Sequence, residues 1–258
     1  ITMDEAVSRA LDIIENGESG YVVTPNPEIV MVCRRDEQAL RAVNGAELVL
    51  PDGIGIIYGA RILAKPMKER IPGIEFAGRL MDKMQERGYK LFLFGAKPGV
   101  AEKAAERLRE QYPNLTICGC ENGYFTDSRP IIQEIRNSGA DVVFVCLGAP
   151  KQEKWMAEHQ AETGAKLMVG LGGSLDVFSG TVKRAPEFWQ KTKLEWLYRA
   201  LTDPKRFKRT LKLPAFMFAV TGQRLRGGKK NAAWTMRAGY PAGAGQPAQQ
   251  RGRVPDAS

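Results

Sequence analysis

The chain has 258 residues, 43% hydrophobic and 26% charged, the make-up of a soluble globular protein with room for one large domain or two small ones. No apolar run approaches the ~20 residues that cross a bilayer, and the first residues carry no signal-peptide pattern. The net charge of +9 is unevenly placed: residues 1–182 hold 21 basic and 25 acidic residues, residues 183–230 hold 14 basic and 3 acidic, and the last 28 add +2.

The chain begins at Ile1-Thr2, close to a helix start, because Thr2 and Glu5 are spaced as a capping box. So abrupt a start suggests that something upstream is missing. Strands are expected at Tyr21–Thr24, Glu47–Leu50, Lys90–Phe94, Leu115–Cys118, Asp141–Leu147 and Lys166–Val169. Helices are expected near 3–15, 27–43, 53–62, 74–87, 99–111, 129–138 and 151–161. In the stretch VAEKAAERLREQ, for example, Val100, Ala104, Leu108 and Gln111 share one face. This alternation predicts an α/β fold, a Rossmann-like, mostly parallel sheet with helices on both faces, over residues 1–185. Residues 186–226 then read as a basic, amphipathic helical appendage, with Asp203 and Pro204 opening one of its helices. Residues 227–258 turn to Gly, Ala, Pro, Gln and Arg and read as a disordered tail.

Several chemistries lose support at once. Cys33, Cys118, Cys120 and Cys146 lie in or beside apolar runs, have no C-x-x-C pair, and read as reduced, buried thiols of a cytosolic protein. His159 is the only histidine, so Ser-His-Asp and Cys-His catalysis would have to use it; its polar helix face makes it a solvated side chain instead.

Ligands of parallel sheets bind at the carboxyl ends of the strands. Thr24 and Asn26 follow strand one between two stiffening prolines, as an Asn-capped turn or as groups facing a ligand. Asp52 sits at the mouth of an apolar strand-to-helix turn, LPDGIGI, as a helix cap or as a functional acid. Gly95 and Gly99 bracket a turn that is neither G-x-G-x-x-G nor a Walker loop, although a helix start there could face a phosphate. Tyr124 and Phe125 form a stacking wall for a base or sugar, or ordinary lid packing. Lys151 and Lys154 crowd a helix start beside Gln152 and Glu153, against the helix dipole, a conflict that a bound anion would resolve. Gly170, Gly172 and Gly173 allow close backbone approach, and Asp176 follows on the next turn. With polar groups or glycines at five strand ends and no Asp-x-Asp clamp, the pattern suits a nucleotide-linked substrate handled without a divalent ion or other cofactor. The basic block seeks an anionic partner: nucleic acid, phospholipid or a pyrophosphate. A nucleic-acid-binding α/β module would use that block but leaves the polar strand ends unexplained. A nicotinamide-dependent oxidoreductase lacks its glycine fingerprint and ribose-binding acid.

The stretches TPNPEIVM, LPDGIGI, KERIPGIEF, FLFGAKPGVAEKA, NGYF, FVCLGAPKQEKW, GLGGSLDVFSGTVKRAP and LEWLYRALTDPKRFKR, in that order, resemble the WecG/TagA/CpsF family of glycosyltransferases over residues 1 to about 220. The chain departs from the family in lacking a short strand before Thr2 and in its Gly/Ala/Pro/Gln tail. The resemblance implies an inverting, metal-independent transfer of N-acetylmannosamine or its uronic acid from UDP to a polyprenyl-pyrophosphate-linked N-acetylglucosamine. Glucose or glucuronic acid donors are alternatives. Its products would feed teichoic acid, enterobacterial common antigen, or capsule and exopolysaccharide assembly. Matched residue by residue, the family pattern makes Asp52 the catalytic base and puts Thr24 and Asn26 beside the donor sugar. Tyr124 and Gln152 match other pocket positions, Asp176 a nucleotide-side residue, and Arg199, Arg206 and Arg209 the arginines that meet the pyrophosphate. An ordinary aspartic acid, pKa ~3.9, is ionised at pH 7 and suited to take a proton from an attacking hydroxyl. Lys151 and the glycines at 170–173 are candidates to offset charge on the leaving UDP. The basic, aromatic-rich segment 183–226 is expected to lie on the anionic inner face of the plasma membrane, in a protein that does not bind nucleic acid and that can form homo-oligomers.

Overall fold

The computed structural model describes residues 1–17, 19–182, 185–186, 188–189, 198 and 212–225. Most of the expected appendage, all of the expected disordered tail, and Arg199, Arg206 and Arg209 lie outside the described residues.

Alternating apolar side chains build the sheet. Among the described residues, β1 (Gly20–Val23), β2 (Leu48–Val49), β3 (Lys90–Gly95), β4 (Thr116–Glu121), β5 (Val142–Cys146) and β6 (Leu167–Gly170) pair in the order β2-β1-β6-β5-β3-β4. Every pairing is parallel, so the expected mostly parallel sheet is wholly so. In β3, Leu91 and Leu93 face one side while Phe92 and Phe94 face the other, and all four are fully buried. Val142 and Phe144 alternate with Val143 and Val145 in β5 in the same way. A period of two with both phases apolar marks strands covered on both faces. One layer of cover comes from α1 (Met3–Asn16), α5 (Gly73–Arg87) and α6 (Val100–Gln111), and the other from α3 (Glu37–Asn44), α7 (Arg129–Ser138) and α8 (Lys151–Thr163).

Local chemistry sets the helix boundaries. Thr2 Oγ1 accepts from the Glu5 backbone N–H at 3.2 Å, and Glu5 Oε2 accepts from Thr2 N–H at 2.9 Å, completing the expected capping box. The expected single helix over 27–43 is instead two, α2 (Pro27–Cys33) and α3. Asp36 causes the break: its carboxylate accepts from Ala39 N–H at 2.9 Å and pairs with Lys154 at 2.7 Å, so a new helix starts there. The stretch after β6, expected as a turn, forms the short α9 (Ser174–Phe178).

α4 (Ile54–Ile62) and α10 (Lys212–Leu225) pack together beside α2, around buried Val30, Ile56, Phe216 and Val220. Two glycines make this approach possible. A Cβ on Gly55 would lie 2.6 Å from Leu213 Cδ1, and one on Gly59 would lie 2.8 Å from Phe216 Cζ. Gly59→Val is therefore expected to loosen α10 while leaving the sheet intact. Limited proteolysis should release the 212–225 segment early, with the main unfolding transition little changed.

Candidate active site

Parallel register brings all six strand carboxyl ends to one edge, and a cleft of about 1160 Å³ opens there. Thr24, Asn26, Asp52, Tyr124, Lys151, Gln152, Gly172 and Asp176, scattered over the sequence, all line it. Gly95 does not line it. That glycine has φ +129°, and a Cβ on it would collide with the Cys146 carbonyl, so its position is explained by the close approach of β3 to β5.

The floor is a set of polar groups joined across strand ends. Thr24 Oγ1 donates to the Gly170 carbonyl at 2.8 Å, tying β1 to β6. Gln152, buried in the first turn of α8, accepts from Gly172 N–H through Oε1 at 2.9 Å and donates through Nε2 to Glu153 Oε1 at 2.9 Å. Gly172 has φ +57°, a left-handed conformation that favours glycine, and its N–H points at that amide. Asn26 caps α2, its Oδ1 accepting from Glu28 and Ile29 N–H at 2.9 and 3.1 Å. The capped-turn reading therefore holds for its carbonyl oxygen, while the amide nitrogen is the end of the side chain that capping does not use.

Asp52 borders this floor, at the end of β2 beside β1. Gly53 takes the N-cap position of α4, with φ +82°, so Asp52 lies one residue outside the helix. Its N–H donates to the Pro25 carbonyl at 3.2 Å, and the neighbouring Pro51 carbonyl accepts from Ile71 N–H at 2.9 Å. The second of these bonds brings the segment before α5 alongside and sets Arg70 Nη2 3.7 Å from Asp52 Oδ1. With the Arg70 and Asp52 side chains 22% and 32% exposed, the two form an ion pair at the wall of the cleft.

The aromatic pair divides its roles. Phe125 packs on Phe94 with ring centroids 5.5 Å apart, so it is lid packing, whereas Tyr124 is 69% exposed and open to the cleft. The two lysines at the α8 start find partners within the protein and do not need an anion to explain them. Lys151 Nζ donates to the Gly123 carbonyl at 3.1 Å and sits 3.9 Å from the Phe125 ring centroid, and Lys154 pairs with Asp36.

His159 pairs with Glu162 at 3.2 Å and stacks edge-on against Trp155, away from the cleft lining. All four cysteines are free; burial pushes the Cys33 and Cys146 thiols up to about 12, which leaves both inert as nucleophiles at neutral pH. Among the described residues, no three His, Cys, Asp or Glu side chains converge as around a metal ion.

Sequence reasoning assigned no role to four charged residues of the cleft: Glu28, Arg70, Lys97 and Glu153. Glu153 had a legible signal. Counting back three and four residues from the buried Met156 places Glu153 and Gln152 on the inward face of α8. Arg70 had none, because its partner lies in another loop.

The cleft chemistry is accompanied by likeness to known proteins. A model described as the glycosyl transferase WecG/TagA/CpsF family matches residues 1–230. A protein of Bacillus spizizenii named N-acetylglucosaminyldiphosphoundecaprenol N-acetyl-beta-D-mannosaminyltransferase is 37% identical over 207 residues, covering 80% of each chain. A protein of the same name from Staphylococcus aureus is 37% identical over 201 residues, covering 78% of this chain and 79% of its own.

Thr24→Val keeps the shape of the floor but removes the donor to Gly170. The β1–β6 tie is expected to weaken by about 1–2 kcal/mol, read as a lower midpoint in urea unfolding with an unchanged m value.

Proposed function

The chain belongs to the WecG/TagA/CpsF family of glycosyltransferases, and on that premise we propose that it moves N-acetylmannosamine from UDP to the N-acetylglucosamine of an undecaprenyl-pyrophosphate acceptor, in cell-surface polymer synthesis. The observation that carries the reading is the carboxylate of Asp52 in the wall of a cleft whose floor is built from the ends of β1, β5 and β6. A polar floor of that kind suits a sugar nucleotide, and a carboxylate at its border suits the hydroxyl that attacks.

In the proposed step Asp52 takes the proton of the acceptor hydroxyl as its oxygen bonds to the anomeric carbon. The bond from that carbon to the UDP oxygen breaks, UDP leaves with the electron pair, and the anomeric centre inverts. Arg70 keeps the Asp52 carboxylate in place from the α5 side. Charge developing on UDP is offset by Lys151, by backbone N–H groups around Gly172 and Gly173, and by Arg199, Arg206 and Arg209, whose placement lies outside the described residues. The step as written involves no metal ion. Thr24, Asn26 and Gln152 hold the donor sugar, Tyr124 closes over it, and Asp176 lies on the nucleotide side.

The acceptor is a lipid, so the enzyme must meet a membrane. Among the described residues, no helix is long and apolar enough to cross one. The reading is of peripheral binding to the anionic inner leaflet through residues 183–226. The net +11 of residues 183–230 supports it, as do Phe218 and Leu225, which are 80% and 81% exposed on α10.

Incubation without added metal, with a short-chain polyprenyl-pyrophosphate-N-acetylglucosamine and a panel of UDP-sugars, should release UDP with UDP-N-acetylmannosamine above its uronic acid, glucose or glucuronic acid counterparts. Asp52→Asn should lower kcat by ~10²–10⁴-fold with little change in donor KM. Near-normal turnover in that variant would remove Asp52 from the role of base, and release with a different donor alone would reassign the sugar. The full chain should also sediment with vesicles containing anionic lipid at low salt and come off as salt is raised; equal binding to neutral vesicles would count against the electrostatic part of the reading.

A further inference from the structure

Glu153 is an acid in an unusual place. It is only 3% exposed, at the wall of the cleft, in a layer that also holds Tyr21, Cys33, Trp155 and Met156. One carboxyl oxygen accepts from Gln152 Nε2 at 2.9 Å, and the other is buried without a hydrogen-bond partner. The acids that face it are neutral ones, Tyr21 from β1 and Cys33 from α2, both held protonated by burial. The adjacent Lys154 points its charge at Asp36 instead. Burial pushes the Glu153 carboxyl up, and a buried, half-satisfied carboxyl is tolerated far better neutral than ionised.

The neighbouring amide shows what the acid does. An amide can be turned over, exchanging its oxygen and nitrogen, and only its partners decide between the two arrangements. Gly172 N–H can only donate, so it selects the Gln152 oxygen; the nitrogen then faces Glu153 Oε1, which accepts from it and fixes its position. Gly170 packs against the same group, since a Cβ there would lie 3.1 Å from Gln152 Nε2. An amide nitrogen has two hydrogens. Glu153 takes one, and the other remains for whatever occupies the cleft that Gln152 lines.

We propose that Glu153 is a positioning residue: it locks the Gln152 amide in the one orientation that offers an N–H, and not an oxygen, to the donor sugar. This rests on the reading that Gln152 contacts that sugar. Without the lock, only the Gly172 N–H holds the amide, which swings about that one bond and presents its N–H to the donor sugar less often.

The test is a double-mutant cycle on donor KM, with kcat followed separately, in the full chain. Gln152→Ala and Glu153→Met are each expected to raise donor KM roughly tenfold, and the double variant to raise it no further than either alone. Glu153→Leu repeats the arm if the methionine variant is not recovered folded. Glu153→Gln, whose side-chain carbonyl can still accept from Gln152, should restore donor KM to within roughly threefold of wild type. A second arm does not depend on turnover. In ¹H–¹⁵N spectra one proton of the Gln152 side-chain NH₂ should be shifted downfield and protected from exchange with water in wild type and E153Q, and in E153M that shift and protection should fall toward those of an exposed glutamine. Losses that multiply in the double variant, or Gln152 signals unchanged in E153M, would overturn the proposal. If wild type transferred no sugar, the functional reading would fail, while the NH₂ signals would still decide whether Glu153 holds the amide.

Discussion

The inner strands β1, β6, β5 and β3 are covered on both faces, and Phe92, Phe94, Phe144 and Val143 have no contact with solvent. An unpaired polar group set among them would cost several kcal/mol. The chemistry is thereby confined to where the strands stop. Because every pairing is parallel, they all stop on the same edge, and one cleft collects what six separate loops have to offer. The apolar sheet takes no part in the chemistry, yet it decides which residues meet.

Within the cleft, side chains are held mainly by bonds that cross from one strand end to another. Thr24 reaches Gly170, Gln152 reaches Gly172, Lys151 reaches Gly123, and Arg70 reaches Asp52. Each such bond orients a group before any ligand arrives, and polar groups fixed in advance need not reorganise as charge moves in a reaction. The glycines serve the same end by bringing backbones close: Gly73 lies against the Thr24 side chain, and Gly170 against Gln152 and Met156.

Much of this was legible in the sequence, for identifiable reasons. A period of two with both phases apolar marks buried parallel strands, and five strands appeared close to where expected, while β4, at the sheet edge and only partly buried, runs on to Glu121 instead of ending at Cys118. The capping box at Thr2 and Glu5 is a local bond between near neighbours, so the sequence displays it. The break at Asp36 was missed because its strength comes in part from Lys154, more than a hundred residues away. For the same reason the lysines at the α8 start suggested an anion: their partners, Gly123 and Asp36, are adjacent only in space. The Tyr124-Phe125 pair could not be divided until Phe94 was seen beneath one ring and solvent beside the other. Eight candidate residues line the cleft because strand ends are predictable, while Arg70 needed the Pro51–Ile71 bond to bring it near Asp52.

The seat of α10 bears on the order in which the protein is made. Leu213 lines the cleft and fits the notch at Gly55, although the two lie far apart in the sequence. Chains emerge from the ribosome amino end first, and contacts distant in sequence close late. The sheet and its two helical layers can therefore assemble while one wall of the cleft is still being synthesised. A nascent chain passes through a stage at which the scaffold is complete and the site is not, and the apolar groove that will receive Phe216 and Val220 is exposed for that interval. Retaining an apolar surface until the last helix arrives ties completion of the cleft to completion of translation through residue 225.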